Sequence, residues 1–195
     1  MHALRVGCPW DAEQTHRSLV TYLIEESLEV VDAIESGDDA DLLEELGDLL
    51  LQVVFHAEIA AEAGRFDIDD VAGRIADKLV ARHPYVFADA AVPDDLLGSW
   101  EQRKRAEKAR SSALDGIPQR MSALARASKV VGRATHHGVD VAGLVADLPP
   151  GPGRELLERV VAAHGEGTDP EQQLRDALRA LETRIVEAES NQHHG

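Results

Sequence analysis

Cysteine occurs once, as Cys8, so the chain has neither an intrachain disulfide framework nor a cysteine-rich zinc site. Aromatic residues are 4% of 195 positions: two Trp, two Tyr and three Phe. A core must therefore come from Ala, Leu, Val and Ile, and few rings are left to stack on a ligand. Positive charge is scarce as well, since 20 Lys and Arg face 36 Asp and Glu, a formal net charge of -16. No basic footprint marks a surface for a nucleic-acid polymer or for an anionic membrane. No apolar run approaches the roughly 20 residues of a membrane-spanning helix. The start, Met1-His2-Ala3-Leu4-Arg5-Val6-Gly7, lacks the pattern of a signal peptide. With a lone thiol, the expectation is a cytoplasmic protein.

What the chain has in quantity is Ala, Leu, Glu and Arg, with little strand-like alternation. The expected class is all-α. Helices are expected over 15–34, 41–63, 68–82, 95–108, 120–135 and 170–189. Gly37-Asp38-Asp39 breaks the first pair, with Asp39 or Asp41 as cap of the second helix. Gly64 closes that helix, and His83-Pro84 ends the third. Pro149-Pro150-Gly151-Pro152-Gly153 reads as a break, and Asp169-Pro170-Glu171 as the start of the last helix. The expected organisation is a domain over 1–110, a linker and connecting helix over 111–135, and a further helical segment over 136–195.

The acids are not evenly spread. Glu25, Glu26 and Glu29 lie three and four apart, on neighbouring turns of one helix face. A solvated acidic face would look the same, so this helix alone does not separate a surface from a site. The next helix is more informative. From Leu42 to Phe55 it is apolar nearly all round, which predicts burial on most faces. Yet Asp41, Glu45, Asp48 and Gln52 recur at steps of four, three and four, a narrow polar stripe on a core helix. A carboxylate there must protonate, find a cation or face a water-filled cleft. An antiparallel hairpin brings Glu25, Glu26 and Glu29 towards Glu45 and Asp48. Five carboxylates in one cleft suit a hard cation, Mg²⁺ or Mn²⁺. A di-iron bundle site is the rival, but it needs Glu-x-x-His pairs, and neither Glu26-x-x-Glu29 nor Glu45-x-x-Asp48 supplies the histidine.

Glu25-Glu26-x-x-Glu29, fifteen intervening residues, then Glu45-x-x-Asp48, resembles the signature of the MazG nucleoside triphosphate pyrophosphohydrolases. Cys8-Pro9-Trp10-Asp11-x-x-Gln14-Thr15, Gly47-Asp48-Leu49-Leu50-x-Gln52-Val53-Val54, Arg82-His83-Pro84-Tyr85-Val86-Phe87 and Trp100-Glu101-x-x-Lys104 follow the same family in the same order. The resemblance runs from about Gly7 to Ala134. It implies a helical bundle of about four core helices that assembles as a homodimer or higher homo-oligomer, with additional C-terminal helices. It implies Mg²⁺-dependent hydrolysis of nucleoside triphosphates to monophosphates and pyrophosphate, as nucleotide-pool house-cleaning. Carried over residue by residue, it makes Glu25, Glu26, Glu29, Glu45 and Asp48 the metal ligands. Glu26, Glu29, Glu45, Lys78 and Arg82 take catalytic roles; one outer glutamate, Glu26 for instance, would act as general base, and the spacing does not say which acid ligates and which takes the proton. Lys78, Arg82, Trp100 and Lys104 contact the nucleotide.

Family members often carry two copies of the domain. Beyond Arg120 neither Glu-Glu-x-x-Glu nor an apolar helix with Glu-x-x-Asp recurs. The last helix parallels the third only through Arg184 and a few neighbours. The expected second copy, over 136–195, is therefore truncated and has no metal site of its own. A non-catalytic nucleotide-binding or regulatory module is the alternative reading of the same residues.

Overall fold

The computed structural model describes residues 1–88, 90–96, 98 and 111–192. Among the described residues every regular element is a helix. The chain divides into two compact units, Met1–Val92 and Pro93–Gly195. The first holds α1 (His2–Gly7), α2 (Pro9–Glu13), α3 (Val20–Ser36), α4 (Asp39–Glu62), α5 (Ile68–Arg82) and α6 (Pro84–Phe87).

The α3–α4 hairpin is the centre of this unit, and its turn is set by three residues. Gly37 takes φ 76°, the left-handed conformation that a side chain resists. Asp38 then runs extended, the backbone an N-cap requires, and its Oδ1 accepts from the Ala40 and Asp41 amides at 2.8 and 3.2 Å. The cap is thus Asp38 rather than Asp39 or Asp41, which sit in the first turn and complement the helix dipole instead. α4 ends as expected at Gly64, φ 63°. The Gly64 amide bonds the Ala61 carbonyl at 2.9 Å and the Arg65 amide bonds Ala60 at 3.0 Å, which closes a Schellman motif. α5 opens on a capping box between Asp67 and Asp70.

α3 begins five residues later than the sequence suggests. The amide of Thr15 donates to Ser18 Oγ at 2.9 Å and that of Ser18 to Thr15 Oγ1 at 3.1 Å. Local side-chain bonds of this kind offer the backbone an alternative to the helix, and a turn precedes Val20. α1 and α2 are too short to carry a readable period. Arg5 binds them to the unit. It donates to both oxygens of Glu62, at 2.9 and 2.5 Å, and to the carbonyls of Asp11, Ala12 and Gln14, where α2 runs out of internal partners. Trp10 packs edge-on against Tyr22 at 5.9 Å and tilted on Phe55 at 6.5 Å.

One expectation fails in the single chain. α4 is buried on one face, not most: Gln52, Phe55, Ala57 and Ala60 are buried, whereas Leu43, Leu46 and Leu50 are 76, 48 and 59% exposed. Ile24, Leu28 and Ile34 of the α3 stripe are exposed too. The reason is geometric. Two helices bury only the faces they share, and the polar stripe of α4 lies on the shared side, so much of the leucine points outward.

In the second unit α7 (Ala123–His136), α8 (Val141–Ala146), α9 (Pro152–Glu166) and α10 (Pro170–Gln192) enclose Ile117, Val131, Val145, Val160 and Ala163. Ser122, Asp140 and Asp169 cap three of them. α7, expected as a connector, packs against α9 and α10. α9 was hidden because its start, Gly151-Pro152-Gly153, reads as a break; Pro152 occupies its first turn, where no amide is needed. The helix expected over 95–108, with Trp100, Glu101 and Lys104, lies outside the described residues except for 95, 96 and 98.

Nothing lies within 4 Å of a β-carbon built at Gly64, so its left-handed backbone alone opposes substitution. Gly64→Ala is expected to lower unfolding free energy by about 1–2 kcal/mol in urea titration. An unchanged midpoint would show that the turn relaxes.

Candidate functional site

The hairpin turn explains the spacing of the acids. Glu29 and Glu45 lie eight residues before and after Gly37, and Glu26 and Asp48 lie eleven before and after it. Folding the chain at Gly37 therefore sets 29 opposite 45 and 26 opposite 48. Glu26, Glu29 and Glu45 each bring a carboxylate oxygen within 4.8 Å of the other two. Glu26 and Glu45 are half-buried and Glu29 is exposed. Among the described residues no other group of His, Cys, Asp or Glu converges in this way, in either unit.

The electrostatics follow from that geometry. Partial burial raises the Glu26 pKa, and Glu29, Asp48 and Glu25 add to the rise, with a hydrogen bond shared with Glu29. Partial burial raises the Glu45 pKa too, followed by the charges of Glu29, Asp48, Glu44 and Asp41. Asp48 thus acts on Glu26 and Glu45, and Glu25 on Glu26, through their charge while both stay exposed. Gln52, the last member of the stripe, is buried at 5% exposure, and its Oε1 has no hydrogen-bond partner.

The structure reports on two of the expected phosphate contacts. Lys78 is half-buried and lines a cavity of about 410 Å³ with Phe66, Asp70, Val71, Arg74 and Ile75. Arg82 is buried at 7% exposure and already has a partner. Trp100 and Lys104 lie outside the described residues. The sequence reading did not single out Phe66 and Arg74. Arg74 was visible in principle, since it precedes Lys78 by one helical turn.

Glu26 and Glu45, with no lysine or arginine among the causes of their shifts, and Glu29 beside them fit an oxygen-binding divalent cation. Without a cation the raised values carry a sign. The folded state holds protons that the unfolded chain, near 4.5, has released. Stability from Glu26 and Glu45 is therefore full below 4.5 and is lost as pH rises through the folded values. In chelator, the melting temperature of Glu26→Gln is expected to fall less than that of the parent between about pH 5 and pH 7. Parallel melting curves for the two proteins across that range would contradict the raised Glu26 pKa.

A model of the MazG nucleotide pyrophosphohydrolase domain matches residues 14–87, the stretch that contains the hairpin and α5. An uncharacterized 26.1 kDa protein of Streptomyces cacaoi is 47% identical over 194 residues, 93% of this chain and 79% of that protein. The nucleoside triphosphate pyrophosphohydrolase of Escherichia coli K12 is 51% identical over 139 residues, covering 69% of this chain and 53% of its own length. The protein of that name from Mycolicibacterium smegmatis is 44% identical over 196 residues, 97% of this chain and 57% of its own. The chain thus spans a little over half the length of these two relatives. Since the matched model covers the acidic hairpin and the Streptomyces protein aligns along most of both chains, this chain belongs to the MazG family.

Proposed function

We propose that the chain is a Mg²⁺-dependent nucleoside triphosphate pyrophosphohydrolase, with Mn²⁺ as a substitute for the metal. The observation that carries this reading is the convergence of Glu26, Glu29 and Glu45 within 4.8 Å on a family hairpin. Glu25, Glu26, Glu29, Glu45 and Asp48 would hold the cation. When bound, it would neutralise the triphosphate and activate water. In the proposed reaction water attacks the α-phosphorus, the bond from that phosphorus to the bridging oxygen breaks, and pyrophosphate leaves. Glu26, with its pKa raised by burial and by Glu29, is the acceptor of the water's proton. Lys78 offers a cation to the phosphates from the rim of its cavity. Arg82, one helical turn after Lys78 and buried, is the second basic side chain for the phosphates. Trp100 and Lys104 complete the nucleotide contacts. The second unit contributes no acid trio among its described residues, so turnover rests on the first.

A pyrophosphate-release assay over ribo- and deoxyribonucleoside triphosphates tests this directly. Release is expected with Mg²⁺ and not in chelator. Glu45→Gln and Asp48→Asn should each reduce it by at least about 100-fold with helicity intact. Nucleotide binding without turnover would favour the non-catalytic module instead.

The same proposal includes a homodimer or higher assembly. Its support is the outward leucine of α4, exposed at Leu43, Leu46 and Leu50, and a second row on α10 at Leu174, Leu178, Leu181 and Ile185. Contiguous apolar surface of this kind marks an interaction face. Light scattering should give at least twice the 21.2 kDa chain mass. Leu50→Glu should shift it towards one chain, and a monomeric parent would refute the assembly.

A further inference from the structure

Two histidines far apart in sequence meet in the first unit, away from the acids. His16, on the turn before α3, sets its Nδ1 2.8 Å from Nδ1 of His56 on α4. The ring planes are 9° apart and the centroids 5.1 Å. That separation is what a 2.8 Å contact gives when the two nitrogens point at each other along the line of centres. The rings therefore lie edge to edge in one plane rather than face to face. On the far side of His16, Nη2 of Arg65, from the turn after α4, bonds His16 Nε2 at 2.5 Å.

This chain of three has one consistent proton count. Arginine only donates, so His16 Nε2 must be a bare acceptor. The single proton of His16 is then on Nδ1 and is donated to Nδ1 of His56. His56 in turn carries its proton on Nε2. Both rings are neutral. A proton added to His56 Nδ1 would face the N–H of His16. A proton added to His16 Nε2 would face the guanidinium. The first breaks the bond between the rings; the second breaks the bond from Arg65 and sets like charges against each other.

We propose that His16, His56 and Arg65 form a proton-operated latch, closed when both rings are neutral, that fastens the segment before α3 to α4. Partial burial and the neighbouring His16 both hold the His56 pKa below its ordinary 6.5, in keeping with a closed, neutral pair. No carboxylate is among the causes of that shift. Of the charged groups on α4 nearest the pair, Glu58 accepts from His2 at 2.8 Å and Glu62 holds Arg5 of α1; α2 carries Asp11 and Glu13, neither among the causes of the His56 shift. Arg17 follows His16 on the turn and is exposed, and α3 brings no ionisable group before Tyr22. The sign is that of a depressed histidine. The latch contributes fully above the open-state value near 6.5 and weakens as pH falls below it, by up to tenfold per unit for each proton taken up. The Arg5–Glu62 pair is lost at lower pH, through the carboxylate range, because Arg5 holds Glu62 below 4.5. The two fastenings thus separate by pH.

Hydrogen exchange of the full chain, read on peptides from residues 1–19 and corrected for intrinsic rates, tests the latch. From about pH 7 to 5.5 the parent should lose protection by up to tenfold per unit, and His16→Phe/His56→Phe should lose none. Equal pH dependence in the two would overturn the proposal. Nitrogen NMR of the imidazoles decides the matter without a variant. The latch requires His16 protonated on Nδ1 and His56 on Nε2 at neutral pH, and any other pair of tautomers overturns it.

Discussion

The repulsion between carboxylates that face each other across the α3–α4 hairpin governs this structure. Glu26, Glu29 and Glu45 have oxygens within 4.8 Å of one another, and Asp48 and Glu25 press on them. Like charges at this range oppose the contact that forms the hairpin. The fold resists through the Gly37–Asp38 turn at one end and the Arg5, Trp10 and Leu19 packing at the other. The site is therefore held in place by parts of the chain that do not touch it. The raised pKa values of Glu26 and Glu45 come first from partial burial and then from that opposition. A cation between the acids would turn the repulsion into attraction, and a polyanion could then approach a protein of charge -16.

The same arrangement accounts for the distribution of apolar surface. With the polar stripe of α4 turned towards α3, the leucines at 43, 46 and 50 face away from it. A single chain gives them nothing to cover. On the proposed reading, assembly buries this face, and the placement of the acids inside the hairpin is what leaves it free for assembly. Site and interface would then be two faces of one helix.

The sequence showed the hairpin and its acids because both depend on short-range rules. The three-and-four spacing gave the helix faces, and the Gly37-Asp38-Asp39 break gave the antiparallel pair that brings the two acid groups together. Gly64 and Asp169 marked helix ends by their chemistry. Other parts were not readable. α1 and α2 span too few residues to show a period. Asp38 could not be told from Asp39 as the cap until the backbone at Gly37 was known. Burial of α4 was overestimated because leucine content does not say whether the neighbour belongs to the same chain. The meeting of His16 and His56, forty positions apart, depends on where the turn before α3 lands on α4, and nothing local encodes that.

The proposed activity depends most on a divalent cation held between Glu26, Glu29 and Glu45, displacing the protons that the raised values of Glu26 and Glu45 hold. Calorimetric titration of Mg²⁺ and Mn²⁺ into the nucleotide-free protein, repeated at about pH 5.5 in two buffers of different ionisation enthalpy, measures that exchange. Saturable binding is expected, with protons released to the buffer, less release at about pH 8, and no saturation in Glu29→Gln/Glu45→Gln. Absence of saturable binding in the parent, or binding of equal strength in the double variant, would contradict the central claim.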